Sequence, residues 1–387
     1  MRILHTADWH VGRTIRGLSR AEEHVAALSE IADIARAEDV DLVLVAGDVF
    51  DTAAPTAEAE GIVYRALLDL AAGGANVVVV AGNHDHPQRL AAVAPLFNVS
   101  RVHVAGALKR PGDGGVIDVT VRSGQTARIA LLPFLSQRGI VRAADLMALG
   151  AVEHAQDYDT RARDLIAALC AGFGDATVNV LVGHLMVVGG MLGGGERAAH
   201  TIFDYSVSAQ AFPATASYVA LGHLHRPQKV HAACPSWYSG SPLQLDFGEG
   251  ADDKAVLIVD AAPGHPAEVR SVGLRSGRRL RTVRAGLADL QALAGTTGDD
   301  YLRVIIAGEP RAGLAEQVRE WFPLAVDVSI ERPDDMGRTG HSRPPVRLGR
   351  PPRELFAEYL AERGADDPRI LALFDQLWEE VHAPDAA

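Results

Sequence analysis

Residues 42–51 read LVLVAGDVFD. An apolar run this short, closed by glycine and a carboxylate, is the pattern of a strand buried on both faces with a polar group at its C-terminal end. Working outward, NVVVVAGNHD at residues 76–85 repeats the pattern, and RILHTAD at residues 2–8 opens the chain with a third example. Helices fill the gaps. Ser19 and Glu22 have the spacing of a capping box ahead of apolar positions Val25, Leu28, Ile31 and Ile34, and a second helix is expected from Thr56 to Ala72. The resulting βαβαβ order brings the strand C-termini and their loops to one edge, where open α/β sheets place ligands. Further on, Val178–Val182 and Tyr218–Leu221 are buried-strand candidates that each run into Gly-His, and Trp237–Ser239 and Ala255–Val259 continue the series.

Composition narrows the class. The chain has 387 residues, 48% of them hydrophobic, enough for more than one module. No apolar run approaches the roughly 18 to 20 residues of a membrane span. MRILHTADWH carries neither a basic leader nor an apolar segment with a cleavage site, so cytoplasm is the expected compartment. Cys170 and Cys234 are too few and too far apart for a disulfide framework or a thiolate zinc site. The formal net charge of -12 argues against unaided binding of duplex DNA, whose affinity comes from Lys and Arg. Charge is uneven, however. Residues 268–353 hold 15 Arg against 11 Asp plus Glu, while the whole chain has only three lysines, Lys109, Lys229 and Lys254.

Residues 1–265 are therefore expected to form one large domain. Residues 266–335 should form a small α+β module, with strands at Leu302–Ile306 and Ala325–Ile330 and a helix at Ala312–Phe322. The Pro-, Gly- and Arg-rich residues 336–352 read as a linker, and residues 353–382 as two amphipathic helices broken near Gly364 and Pro368. Helices beyond a flexible linker need something to pack on. The glycine run Gly189–Gly195 lacks the Lys-Ser/Thr ending of a phosphate-binding loop and reads as a flexible connection.

Five polar clusters follow strand-like runs: Asp8 and His10 in DWH, Asp48 in GDVFD, Asn83 and His84 in GNHD, His184 in GHL, and His223 and His225 in GHLH. Carboxylates and an amide mixed with imidazoles suit Mn, Fe or Zn, and the donors suffice for two ions sharing a bridging carboxylate. Alternation in extended chain points Asp8 with His10, and His223 with His225, the same way. Gly47, Gly82, Gly183 and Gly222 are expected to let the backbone turn tightly there. Asp51 is expected to be a helix cap or turn residue rather than a partner of a ligand. His24, His103, His154, His231 and His382 lack a comparable setting and read as structural. Arg13, Arg16, Arg89 and Arg226 lie in or just after these loops, within possible reach of a nucleic-acid backbone.

The ordered set D-x-H, GD-x-x-D, GNHD, GH, GHLH resembles the calcineurin-like metallophosphoesterase signature. MRILHTADWHVGR (1–13), GDVFD (47–51), GHLM (183–186), YVALGHLHRPQ (218–228) and YSGSPLQLDF (238–247) are similar, more closely, to the bacterial SbcD family over about residues 1–260. The resemblance implies a four-layer α/β/β/α sandwich with a small α+β capping domain and C-terminal helices. It implies that Asp8, His10, Asp48 and His225 hold one divalent ion, that Asp48, Asn83, His184 and His223 hold a second, and that manganese is preferred. His84 would be the catalytic histidine, with Asp85 orienting it. The implied activities are a double-strand 3'-to-5' exonuclease and a single-strand or hairpin endonuclease in DNA end processing, repair and recombination. The implied partners are DNA, an SbcC-type ATPase whose coiled coil receives the C-terminal helices, and a second copy of the nuclease subunit. Two alternatives stand beside this reading: a stand-alone phosphodiesterase acting on a small nucleotide, and a non-catalytic DNA-tethering scaffold.

Overall fold

The computed structural model describes residues 1–136, 158–193 and 206–331 without interruption, together with 139, 140, 143, 147, 196, 353, 356, 357, 359, 360 and 369–375. The linker expected at 336–352 lies outside the described residues, as do His154, His382, two glycines of the 189–195 run and parts of the C-terminal helices. Met1–Ile330 form one compact unit and Glu331–Ala387 another.

Two six-stranded sheets make up most of the first unit. One runs, edge to edge, Glu268–Gly273, Ala255–Asp260, Arg2–Thr6, Leu42–Val45, Asn76–Val80 and Val102–Ala105. Its last four strands are parallel, and the first two attach antiparallel. The other runs Gln228–Val230, Ser236–Tyr238, Tyr218–Gly222, Val178–His184, Thr126–Leu132 and Val116–Thr120, with four central parallel strands and antiparallel edges.

Period-2 alternation sorts each strand's side chains into layers. Leu42, Leu44, Val78 and Val80 face Ile129, Val180, Val182 and Ala220 of the other sheet in one core. The alternate residues Val43, Val45, Val77 and Val79 pack under the helices Ala21–Ala37 and Ala57–Ala72. On the far side, Leu181, Val219 and Leu221 pack against Leu165, Ile166 and Leu169 of the helix Tyr158–Cys170. Helix, sheet, sheet and helix give the four layers expected.

Several local expectations need correction. The first helix begins at Ala21 with Arg20 at its N-cap, whose side chain makes no cap hydrogen bond; Ser19 ends the short strand Leu18–Ser19, paired with Thr14–Ile15, and its hydroxyl accepts from the Ala21 N–H at 3.3 Å. Val25 points outward at 51% exposure, while His24 is buried with Ala27, Leu28 and Ile31. Thr56 does cap the second helix, accepting from the Ala59 N–H. The strand expected at Trp237–Ser239 lies one residue earlier, at Ser236–Tyr238.

The first sheet continues past residue 265 through Glu268–Gly273. A three-stranded sheet then follows, formed by Leu280–Ala285, Tyr301–Ala307 and Ala325–Glu331. With the helices Leu287–Ala292 and Leu314–Trp321 it encloses its own core around Leu290, Leu302, Val304, Val318 and Phe322. In the second unit, residues 369–375 and the described positions from 353 to 360 are helical, and Phe356 stacks on Phe374 at a centroid distance of 4.6 Å. No helix among the described residues is long and apolar enough to cross a membrane.

Candidate metal centre

Because both sheets have parallel centres, each delivers several strand C-termini to one edge, and the two edges meet. Asp8 and His10 follow Arg2–Thr6, Asp48 follows Leu42–Val45, and Asn83 and His84 follow Asn76–Val80. His184 ends its strand in the second sheet, and His223 and His225 follow the neighbouring Tyr218–Gly222. All eight converge. Asp8, His10 and His225 can each offer a ligand atom within 4.8 Å of the others, as can His10, Asp48 and His84, and Asp8, Asp48 and His184. Asn83 Oδ1 lies 2.9 Å from both His184 Nε2 and His223 Nδ1, which joins those imidazoles to the group.

Backbone contacts lock the loops together. Asp8 N–H donates to Gly47 O at 2.9 Å and His10 N–H to Asp48 O at 3.0 Å. His223 N–H donates to Asp8 Oδ1 at 2.9 Å and His84 N–H to Asp48 Oδ1 at 2.7 Å. Asp8, His10 and Asp48 have φ of 52°, 48° and 52°, and His223 has 108°. Non-glycine residues held in that region carry of order 1–3 kcal/mol of strain each and persist where the surroundings over-determine them, typically at functional sites.

The expected glycines divide into two kinds. Gly47 has φ +90°, and a Cβ at Gly222 would lie 1.9 Å from Ala46 O, so one provides the turn and the other the close approach between sheets. Gly82 lies equally tight against Asp48. Gly183 does not belong with them: it sits within its strand, and a Cβ there would meet the Leu185 and Leu132 side chains at ordinary contact, 3.4 Å and 3.7 Å.

Two acidic residues differ from expectation. Asp85 does not direct its carboxylate at His84; it accepts from the backbone N–H of Gly82 at 2.8 Å, Phe50 at 3.0 Å and Val49 at 3.3 Å, pinning the GDVF and GNHD loops to each other. His84 Nδ1 instead donates to the carbonyl oxygen of Asp51 at 2.6 Å. Asp51 is thus more than a cap or turn residue, since its carboxylate also lies 3.4 Å from His10 Nδ1 and 3.2 Å from Arg13 Nη1. The four arginines each engage a carboxylate. Arg13 reaches Asp51 beside the cluster, whereas Arg16 pairs with Asp327, Arg89 with Glu60 and Arg226 with Asp252.

Sequence reasoning missed two further neighbours. Phe134 stacks on His223 at 6.4 Å and meets His184 edge-on at 6.2 Å; it follows the strand Thr126–Leu132, whose mixed pattern gave no signal. Glu249, fully buried, holds His225 Nδ1 at 3.0 Å. It lies two residues beyond the YSGSPLQLDF segment, which is the one signal that could have pointed to it.

The electrostatics suit cations. Burial pushes Asp8 up to about 7 despite the nearby His184 and His225, and burial together with repulsion from Asp48 does the same to Asp85. Asp48 is itself buried, yet the imidazoles of His184, His10 and His84 hold its carboxyl well below the usual range. Among the described residues neither ring nitrogen of His10 has a hydrogen-bond partner, although the ring is buried and Nε2 lies 3.6 Å from Asp48 Oδ2. Ala46 O accepts from His184 Nδ1 at 2.8 Å, which leaves Nε2 as the donor atom facing the cluster. Buried carboxylates, an amide oxygen and imidazoles aimed at one another are a donor set that fits two divalent ions and bears its burial poorly without them.

Fold and site together define a metallophosphoesterase. Residues 1–227 match the family model for the calcineurin-like phosphoesterases. The chain is 38% identical to the SbcD subunit of the SbcCD nuclease of Bacillus subtilis (strain 168), covering 72% of this chain and 71% of the relative. Its identity to the same subunit is 38% in Rhodobacter capsulatus, over 81% and 78% of the two chains, and 31% in Escherichia coli (strain K12), over 76% and 73%. The chain belongs to the calcineurin-like phosphoesterases and, among them, to the SbcD family.

Proposed function

We propose that this protein is a two-metal DNA nuclease that works as the SbcD component of an SbcCD-type complex with an ATPase partner. One observation carries the reading: eight side chains from five separate loops meet at the shared edge of the two sheets with mutually facing donor atoms. Asp8, His10, Asp48 and His225 would hold one ion, and Asp48, Asn83, His184 and His223 the other. Manganese suits this mixture of oxygen and imidazole donors. Bound there, two divalent ions would supply activation of a water nucleophile and neutralisation of phosphate charge.

The chain's own residues do the rest. Asp48, ionised and central, joins the two sets of ligands. His84 has its Nδ1–H tied to the Asp51 carbonyl, so Nε2 is the nitrogen that carries a proton to the leaving 3'-oxygen. Asp85 fixes the loops that place both residues. Arg13, Arg16, Arg89 and Arg226 are the proposed backbone contacts for DNA, with Arg13 nearest the cluster. Exonuclease action on duplex ends and endonuclease action on single strands and hairpins are the proposed activities.

The proposed organisation is a nuclease domain, a DNA-facing α+β capping domain, a linker, and C-terminal helices that dock on the coiled coil of the ATPase. Exposed Tyr359, Ile370 and Leu373 support that docking. Leu96 and Val99, exposed at 75% and 88% at the end of the helix Pro87–Asn98, support pairing of two nuclease subunits. The proposed compartment is the cytoplasm.

His84→Ala tests the chemistry. Cleavage of linear duplex should fall by at least the roughly 10²–10⁴-fold typical of lost general acid catalysis, with manganese content unchanged; retained cleavage would remove the role. Deleting residues 351–387 should abolish co-purification with the ATPase while sparing hydrolysis of a small phosphodiester, and unchanged co-purification would refute the docking.

A further inference from the structure

His225 is held by more than its position in the GHLH loop. Its Nδ1 lies 3.0 Å from Glu249 Oε1, and a carboxylate oxygen can only accept, so Nδ1 carries a proton and, in the neutral ring, Nε2 is the nitrogen left with a lone pair in the group His225 forms with Asp8 and His10. The second oxygen of Glu249 accepts from Leu245 N–H at 3.0 Å and from Lys254 Nζ at 2.7 Å. Lys254 directs its other two protons to His225 O at 3.0 Å and Ser241 Oγ at 3.0 Å. One ammonium therefore grips both the backbone of His225 and the carboxylate that orients its ring.

Every donor of this buried ammonium and both carboxylate oxygens have partners, as a buried charge pair requires if it is to be rigid. The turn that carries Glu249 is anchored on its other side. Asp246 caps it through Gly248 N–H at 2.8 Å, and Phe247 packs with Ile15, Leu280 and Tyr301 beneath the guanidinium of Arg303, 4.5 Å from the ring centroid. Glu249 is thus presented by a turn whose neighbouring side chain is seated against the three-stranded module.

We propose that Glu249 and Lys254 are positioning residues of the metal centre: they fix His225 in its Nδ1–H form and in one orientation, so that Nε2 is presented to a divalent cation beside Asp8 and His10. This rests on the two-metal reading above. Calorimetric titration of the full-length protein with manganese, beside ¹⁵N spectra of the histidine-labelled metal-free protein, tests it. Glu249→Gln keeps the shape and removes the charge, and a Glu249→Gln, Lys254→Met double variant leaves no unpaired buried ion.

Both variants should lose roughly 10–100-fold in affinity for one of the two ions, the usual effect of removing a ligand's orienting partner, and hold the other as before. The His225 Nδ1 signal should move from the protonated toward the unprotonated position, a change that a purely structural role would not produce. A folded double variant with both affinities and the tautomer unchanged would overturn the proposal; should the double variant not fold, the single variant decides on the same two readouts. His225→Ala separates the two levels. If it loses one ion while the Glu249 variants keep both, only the positioning role fails; if it too binds both ions normally, the metal assignment of His225 fails first.

Discussion

A methyl group added at Gly222 should disable the centre without altering a ligand. Gly222 ends a strand of one sheet hard against the loops of the other, and an alanine Cβ there would sit 1.9 Å from Ala46 O, 2.9 Å from Ala46 C and 3.0 Å from Ala7 Cβ. Restoring ordinary contact to the carbonyl oxygen requires about 1.5 Å of relative movement between backbones that have no soft side chain to yield. That carbonyl is also the acceptor for His184 Nδ1, Ala7 adjoins Asp8, and Gly222 adjoins His223, so the displacement reaches proposed ligands from both sheets. Misplacement by 1 Å can cost about 10²-fold in rate, and overpacking costs about 1–3 kcal/mol. Gly222→Ala should therefore fold with a lowered melting temperature and hydrolyse a small phosphodiester at least 10²-fold more slowly at saturating manganese. Gly183→Ala is the control, because its Cβ would meet the Leu185 and Leu132 side chains at 3.4 Å and 3.7 Å, ordinary contact; activity should stay within a few-fold of wild type. Wild-type turnover in Gly222→Ala, or equal damage from Gly183→Ala, would refute the reasoning.

Asp85→Asn should destabilise the metal-free protein by about 1–3 kcal/mol, since an amide cannot accept from the Val49, Phe50 and Gly82 N–H groups as two carboxylate oxygens do; an unchanged melting temperature in chelator would contradict the clamp. His24 is buried, and loss of hydration with the nearby Arg20 charge lowers it from 6.5 to about 4. The unfolded chain takes up this proton at higher pH than the folded one, so its contribution is present in full above pH 6.5 and is lost as pH falls toward 4, about 3 kcal/mol if the whole shift is realised. Urea unfolding across that window should show stability dropping with acid and a shallower slope in His24→Gln; equal slopes would exclude the histidine as a cause.

The strands that carry the proposed ligands were legible because burial on both faces leaves an unmistakable trace: LVLVAGD and NVVVVAGN end in the groups they deliver, and the Gly-His endings at 183–184 and 222–223 extend the rule to the second sheet. Strands with exposed positions were not. Val116–Thr120, Glu268–Gly273 and Val102–Ala105 all lie at sheet edges and mix apolar with polar residues. Two separate sheets were likewise beyond periodicity, which sorts faces within a strand and is silent on which strand pairs with which. Ligand identity depends on residue type at a strand end, which sequence records. The supports depend on contacts across the fold: Asp85 turned to three backbone amides, Asp51 offering its carbonyl to His84, and Glu249 reaching back 24 residues to His225. Residue type announces none of these. Val25 shows the same limit on a helix, where a four-residue apolar stripe fitted the spacing and the buried face instead included His24.

Diffraction recorded at the manganese absorption edge from crystals grown with excess manganese tests the central claim most directly. Two anomalous peaks should appear about 3.5–4 Å apart, as in two-metal phosphoesterase sites, with Asp48 between them, Asp8, His10 and His225 around one, and Asn83, His184 and His223 around the other. No peak among these side chains, or one held without Asp48, would contradict it.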